Sequence, residues 1–252
     1  SLRSIAVADL EEAREVLLAH AGAPLLYGWH DGRPGHFGRG VIRFGLEAKP
    51  EQHTPRRLLP DLPSAVEPWP IAAWNRLGIT MMNGWIRQRW CRSDSRHVAI
   101  ESALFPLNDA RRYFAGFGKP GFVEAQWLVP HARFVEFAAT LAAEVARQRP
   151  RISLIASKLF DGEADGFRFD GKGISLAIQM PQPQAPAQAA FIESLTELAI
   201  LHGGRPNLIK DSSLRADSAR RAIARFDEAR AALRQFDPHE LQRSEMTRRL
   251  QL

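Results

Sequence analysis

Apolar and polar positions alternate along this chain with two different periods, and the change of period marks its elements. Asp9 followed three residues later by Glu12 has the form of a capping box, after which Ala13, Val16 and Leu17 keep helical spacing until Gly22 stops it. Leu25-Leu26-Tyr27-Gly28-Trp29 and Gly40-Val41-Ile42-Arg43-Phe44 are short runs that predict strands. Gly32, Pro34, Gly35 and Gly38 between them predict a hairpin-like connection. Residues 46–70 hold six prolines and no period, so a long surface excursion is expected there. Residues 71–90 gather Trp74, Trp85 and Trp90 around Met81-Met82; the reading is a helix over 71–77 and a strand over 84–91, with the tryptophans packed in the core or, as the alternative, forming a ligand wall.

From residue 120 the pattern sharpens. An apolar strand over 122–129 is followed by Pro130 and a helix over 131–147, whose inward face is Phe134, Phe137, Ala138, Leu141 and Val145. A strand over 152–156, a turn-rich stretch over 161–173, a strand over 174–180 and a helix over 187–201 come next, and Gly203-Gly204 ends the last helix. The predicted class is α+β: an antiparallel sheet with helices on one face, built from ferredoxin-like split βαβ elements and followed by a C-terminal helical segment. The first hairpin and the strand near Trp85 are placed to extend that sheet. Residues 211–252 read as consecutive helices with an arginine-rich face and a thin apolar stripe of Ala222, Phe226, Ala229, Leu233 and Phe236. Such helices need a surface to dock on.

Composition narrows the functional classes. At 252 residues and 45% hydrophobic the chain can bury about three-quarters of its unfolded surface without disulfides or metals. One cysteine, Cys91, excludes an intrachain disulfide framework and any cysteine-based metal site, and the eight histidines show no metal-ligand spacing, so no metal is expected. No apolar run approaches the roughly 18 residues of a membrane span, and residues 1–4 have no signal-peptide form, so a cytoplasmic location is expected. The net charge of +6 and the pI near 10.1 raise the question of nucleic acid. Lysine occurs only at 49, 119, 158, 172 and 210, however, and many of the 29 arginines stand beside acids, as in Glu11-Glu12-Ala13-Arg14 and Arg225-Phe226-Asp227-Glu228. Solvated, salt-bridged helix faces explain that pattern, and no nucleic-acid partner is expected.

There is no Gly-x-Gly-x-x-Gly after a strand, no P-loop, no His-Glu-x-x-His and no Gly-x-Ser-x-Gly elbow. Two lysines stand out in a protein that otherwise uses arginine: Lys158, just past a predicted strand in Ser157-Lys158-Leu159-Phe160, and Lys210, which closes Asn207-Leu208-Ile209. A lysine supplies a compact point charge where an arginine would supply a planar fork.

The run Gly121-Phe122-Val123-Glu124-Ala125-Gln126-Trp127-Leu128-Val129-Pro130, then Lys158-Leu159-Phe160, then Lys210-Asp211-Ser212, resembles the C-terminal half of FAD-linked oxidases of the vanillyl-alcohol-oxidase type. The nearest branch is that of the aldonolactone oxidases and decaprenylphosphoryl-ribose 2′-oxidases. Gly28-Trp29, Gly38-Arg39-Gly40-Val41 and the ending Phe236-Asp237-Pro238 with Met246-Thr247-Arg248-Arg249-Leu250 fit it too. The resemblance implies a substrate-binding (cap) domain over 1–205. It also implies a helical segment over 206–252 that packs on an FAD-binding domain or subunit lying outside this chain. The implied activity is oxidation of a sugar or polyol hydroxyl by hydride transfer to FAD; the alternative is a cap-like ligand- or partner-binding module without flavin. Gln126, Lys158, Phe160 and Ser175 would bind a sugar-like substrate, Asn207 and Lys210 would face the cofactor, and Lys210 would be catalytic. Ser175 replaces the branch's asparagine, Ala177 its cysteine and Ala125 its tyrosine, and the two alanines are expected to reshape the pocket.

Overall fold

The computed structural model describes residues 1–47, 67–91, 97–98, 103, 111–182, 186–210 and 213–252. Most of the expected excursion over 46–70, and Asp211-Ser212 of the resemblance, lie outside these residues.

The first strand, β1 (Leu2–Val7), has no strong sequence signal and was not anticipated. It leads into α1 (Leu10–Ala19) through Asp9, whose side chain accepts from the Glu12 amide at 2.9 Å, while the Glu12 carboxylate takes the Ala8 amide at 2.6 Å. These two bonds satisfy donors that a helix start otherwise leaves open. The hairpin strands β2 (Leu25–His30) and β3 (Gly40–Gly45) follow, and β3 also pairs with β1.

Two helices come next, α2 (Arg76–Cys91) and the short α3 (Arg111–Ala115). The second half of the chain runs β4 (Phe122–Val129), α4 (Phe134–Gln148), β5 (Leu154–Asp161), β6 (Lys172–Pro181), α5 (Pro186–Leu201) and β7 (Arg205–Pro206). It closes with α6 (Ala216–Ala222), α7 (Phe226–Phe236) and α8 (Glu245–Leu250).

All seven strands form one antiparallel sheet in the order β1-β3-β2-β5-β6-β4-β7. That order contains a duplication with no counterpart in the sequence. The segment β1-α1-β2-β3 and the segment β4-α4-β5-β6 each run strand, helix, strand, strand, and each places its third strand between its first and second. The two units join edge to edge where β2 pairs with β5. Addition of α5 and β7 completes the ferredoxin-like arrangement in the second unit.

The helices α1, α4 and α5 cover one face, and the main core lies beneath them. All five predicted inward residues of α4 are buried, and Phe137, Leu141 and Val145 have no exposed surface. At about 2 kcal/mol for each large side chain, that stripe dominates the docking of the helix. Trp127, Ile174, Leu176 and Ile178 rise to meet it from the sheet.

The expected helix and strand over 71–91 are replaced by α2 alone, so nothing near Trp85 extends the sheet. Ile79, Asn83 and Ile86 turn inward at helical spacing, and Asn83 donates to Asp31 at 2.8 Å. Leu77, Met81 and Trp85 lie on the solvent side. Apolar residues on both sides of one helix erase the amphipathic period, and the buried position that would restore it is a polar asparagine. Of the three tryptophans, Trp74 stacks near Tyr113 and Phe117 and Trp90 meets Tyr27 and Trp29 edge-on, whereas Trp85 is exposed.

The closing helices do not depend wholly on an outside surface. Leu214, Ala219, Ile223, Phe226 and Leu250 form a second core with Leu208, and Phe167 of the β5–β6 connection packs against it. Arg221 and Ser218 of α6 both bond to Glu197 of α5. Phe236 remains exposed, as do Leu241 and Ile209.

Candidate functional site

Strand alternation sends Ala125, Trp127, Ile174, Leu176 and Ile178 to the helix-covered face, and therefore sends Glu124, Gln126, Ser175, Ala177 and Gln179 to the other. The helix α2 packs over β1 and β3 on that second face, where Trp90 meets Tyr27 and Trp29 and Arg43 lies over its ring. Tyr113 of α3 reaches Gln179 from the same side. Between these two covers lies the middle of the face, termed the open face, where Lys158 is exposed, Ala156, Phe160 and Ala177 are half-buried and Gln126 and Ser175 are buried.

The register there is set by the backbone ladder. Lys158 stands opposite Ser175, Ala156 opposite Ala177, and Ala177 in turn opposite Gln126. The two alanines give the open face a low floor, bounded by Trp29, which pairs across the sheet with Ala156. Lys158 and Phe160 lie inside β5 and not beyond it, because the strand continues to Asp161. Phe160 packs edge-on against Phe169.

Gln126 and Ser175 are buried, and their polar atoms form a chain whose direction can be deduced. The Ile209 amide can only donate, and it donates to Asn207 Oδ1 at 3.1 Å. Asn207 Nδ2 therefore donates to Gln126 Oε1 at 2.8 Å, and Gln126 Nε2 donates to Ser175 Oγ at 2.8 Å. Ser175 Oγ ends the chain as an acceptor, on a residue that stands opposite Lys158 in the ladder.

A second chain runs alongside. Lys210 Nζ donates to one oxygen of Glu124 and Gln179 Nε2 to the other. Tyr113 Oη donates to Gln179 Oε1 at 2.7 Å, and Ser153 Oγ donates to the Gln179 carbonyl at 3.0 Å. Burial pushes the Tyr113 phenol well above its usual range, so it keeps the proton that it donates to Gln179.

Six residues singled out by sequence thus meet on one surface: Gln126, Ser175 and Asn207 in direct hydrogen-bond contact, Lys158 and Phe160 on the adjacent strand, and Lys210 tied to Glu124 two positions from Gln126. The expectation that Ala125 shapes the pocket is overturned: it is 4% exposed and faces the helices. Ala177 does lie on the open face. Sequence reasoning missed Glu124, Gln179 and Tyr113. For the first two a signal was present, since Glu124 and Gln126 share one parity of β4 while Ser175, Ala177 and Gln179 share one parity of β6.

This chain is similar to decaprenylphosphoryl-beta-D-ribose oxidase. The match is to the protein of Mycolicibacterium smegmatis, at 27% identity over 242 residues and 89% of this chain. The chain spans 50% of the oxidase's length. No protein-family model matches the chain. Among the described residues no helix is long and apolar enough to cross a membrane, and no cluster of three histidine, cysteine or acidic side chains could hold a metal ion.

The motif glycines of the first unit do not touch the open face. Gly28 and Gly40 flank the buried His30 ring: a Cβ on Gly28 would lie 2.6 Å from His30 Nε2, and one on Gly40 would lie 2.6 Å from Nδ1. His30 bonds to the Gly38 carbonyl at 3.0 Å and to Ser157 Oγ at 2.7 Å, and burial pulls its pKa down to about 4. It serves as a neutral strut between β2 and β5, on the helix-covered face.

Proposed function

We propose that residues 1–205 are the substrate-contacting half of an FAD-dependent oxidoreductase that oxidises a sugar or polyol hydroxyl, and that residues 206–252 pack on the FAD-binding domain or subunit. The similarity to an oxidase that acts, by its name, on a phosphorylated sugar supports the reaction class. The observation that carries the reading on this chain is the directed chain ending at Ser175 beside Lys158.

A hydroxyl-bearing substrate lying on the Ala156–Ala177 floor would meet two donors, the Ser175 hydroxyl and the Lys158 ammonium. Phe160, two positions along the same face of β5, supplies an apolar edge suited to a sugar's C–H surface. These groups orient the substrate and exclude water from its reacting carbon. FAD, when bound, would supply the hydride acceptor. Asn207 and Lys210 fit one edge of a flavin ring chemically, since both present N–H donors at the rim of the face and a flavin ring offers carbonyl acceptors there. Lys210 would stabilise negative charge as the substrate hydroxyl loses its proton. Glu124 holds the lysine side chain in place until then.

The test uses the complete protein, with the FAD-binding region in place, and follows flavin absorbance on mixing with polyol and sugar substrates. Lys210→Ala should slow flavin reduction by about a hundredfold or more. Its effect on unfolding free energy should stay within about 1 kcal/mol, because the Lys210 side chain is half-exposed and Gln179 still donates to Glu124 when the lysine is gone. An unchanged reduction rate would remove Lys210 from the site, and a complete protein that retains no flavin would end the enzymatic reading.

A further inference from the structure

At the start of β5 lies a cavity of about 220 Å³ with an unusual lining. The β2–β3 connection contributes Arg33 and His36, the start of α2 contributes Arg76, and the turn between α4 and β5 contributes Arg149 and Arg151. The floor is apolar and firm, made in part by Ile79 and Ile152, both almost fully buried.

Only one of the four guanidinium groups is neutralised. Arg33 forms a bidentate pair with Asp31, and Asn83 of α2 holds the same carboxylate at 2.8 Å. Among the described residues, Arg76, Arg149 and Arg151 have no side-chain hydrogen bond and no ion pair, and no acidic residue lines the cavity. Among the arginines elsewhere, Arg133, Arg147, Arg168, Arg220, Arg221, Arg225, Arg230, Arg243 and Arg249 pair with carboxylates, whereas Arg3, Arg39, Arg89 and Arg248 do not; what sets the cavity apart is that its arginines converge on one space. Arg149 also sits at φ 49°, a left-handed conformation that a residue with a Cβ adopts at a cost, at the C-cap of α4. Three like charges gathered around one concave, apolar-floored space repel one another and call for a polyvalent counter-anion.

We infer that this cavity is a binding site for a dianionic phosphoryl group. Guanidinium forks from three different segments match the tetrahedral oxygens of such a group, and they do so bidentately where lysine would act as a point charge. The volume suits a phosphate or pyrophosphate moiety and leaves the rest of a ligand in solvent. The cavity shares no lining residue with the open-face site, and Lys158 stands six residues further along the chain than Ile152, about 20 Å of extended strand. The inference therefore does not rest on the proposed enzymatic role.

The test titrates pyrophosphate into the whole 252-residue chain at low ionic strength by calorimetry, and in parallel measures sedimentation with phosphatidylcholine vesicles containing phosphatidic acid. Saturable binding in either arm is expected, with the responding arm showing whether the phosphoryl group is free or on a lipid. Arg76→Gln/Arg151→Gln should weaken binding by about tenfold per guanidinium removed. Neither arginine makes an intramolecular side-chain bond, so the double variant should fold, as its circular dichroism melt will verify. Arg220→Gln/Arg230→Gln on the closing helices removes the same charge elsewhere and should bind as wild type. The inference is overturned if neither arm shows binding, if Arg76→Gln/Arg151→Gln binds unchanged, or if both double variants lose binding equally.

Discussion

Acidifying this protein from neutral pH to about pH 5 should destabilise it through one imidazole, before most carboxylates begin to titrate. His30 has no exposed surface. The Gly38 carbonyl can only accept, so the ring proton sits on Nδ1, and Nε2 accepts from Ser157 Oγ at 2.7 Å. A proton on Nε2 would oblige the Ser157 hydroxyl to turn its own proton away and would place a charge in an apolar layer. Burial accordingly pulls the pKa from 6.5 to about 4. The sign follows directly: between those values the unfolded chain binds a proton that the folded chain refuses. The stabilisation is complete above about pH 6.5 and is lost as the pH falls toward 4. The pKa difference corresponds to about 3 kcal/mol in all, spread at roughly 1 kcal/mol per pH unit between about pH 6 and 5. Urea unfolding followed by circular dichroism at several pH values between 7.5 and 5 measures that slope. His30→Gln should be less stable at pH 7.5 and should lose most of the slope. Equal slopes in wild type and His30→Gln would show that the imidazole is not excluded from protonation by the fold, and the reasoning would fail.

Two further perturbations test the packing. Gly28→Ala would bring a methyl within 2.2 Å of Ser157 Oγ and 2.6 Å of Ile42 Cδ1, which should cost about 1–3 kcal/mol by chemical denaturation; a neutral result would mean that the strut can move aside. Phe137→Ala should cost about 3–5 kcal/mol, whereas Trp85→Ala on the exposed side of α2 should cost under about 1 kcal/mol, and comparable losses for the two would contradict the orientation of α2.

The second unit was legible in the sequence because its signals were redundant. In α4 five apolar residues repeat at helical spacing after a proline, and β4 and β6 are long apolar strands bounded by glycine and proline. The first unit was read in part: its capping box and its hairpin were visible, but β1 was not. The six residues of β1, Leu-Arg-Ser-Ile-Ala-Val, carry no clean alternation, and β1 becomes a strand because β3 offers it a pairing edge. Neither the join between β2 and β5 nor the direction of the Asn207–Gln126–Ser175 chain could be read locally, since both depend on residues more than 80 positions apart or on tertiary register. Parity along β4 would have assigned Ala125 to the core and Glu124 to the open face. The resemblance drew attention to motif positions and away from that alternation.

The duplication gives the two units different tasks. Every candidate residue, from Gln126 to Lys210, belongs to the second unit or to the segment just after it, and yet that unit ends at β5 with an edge. An unpaired edge beside Lys158 would offer backbone donors and acceptors to any passing strand. The first unit covers that edge up to Ser157: β2 pairs with β5 through Gly28–Ser157, Trp29–Ala156 and His30–Ile155. At that seam each face carries its own device. On the helix-covered side His30 bonds to Ser157, and on the open side Trp29 walls the floor made by Ala156 and Ala177. Gly28 and Gly40, lacking a Cβ, leave the room that the His30 ring and its bond to Ser157 occupy. The Gly28-Trp29 and Gly38-Arg39-Gly40 motifs of the resemblance are thereby accounted for as seam residues. They hold the register of β5, and the register of β5 is what sets Lys158 opposite Ser175.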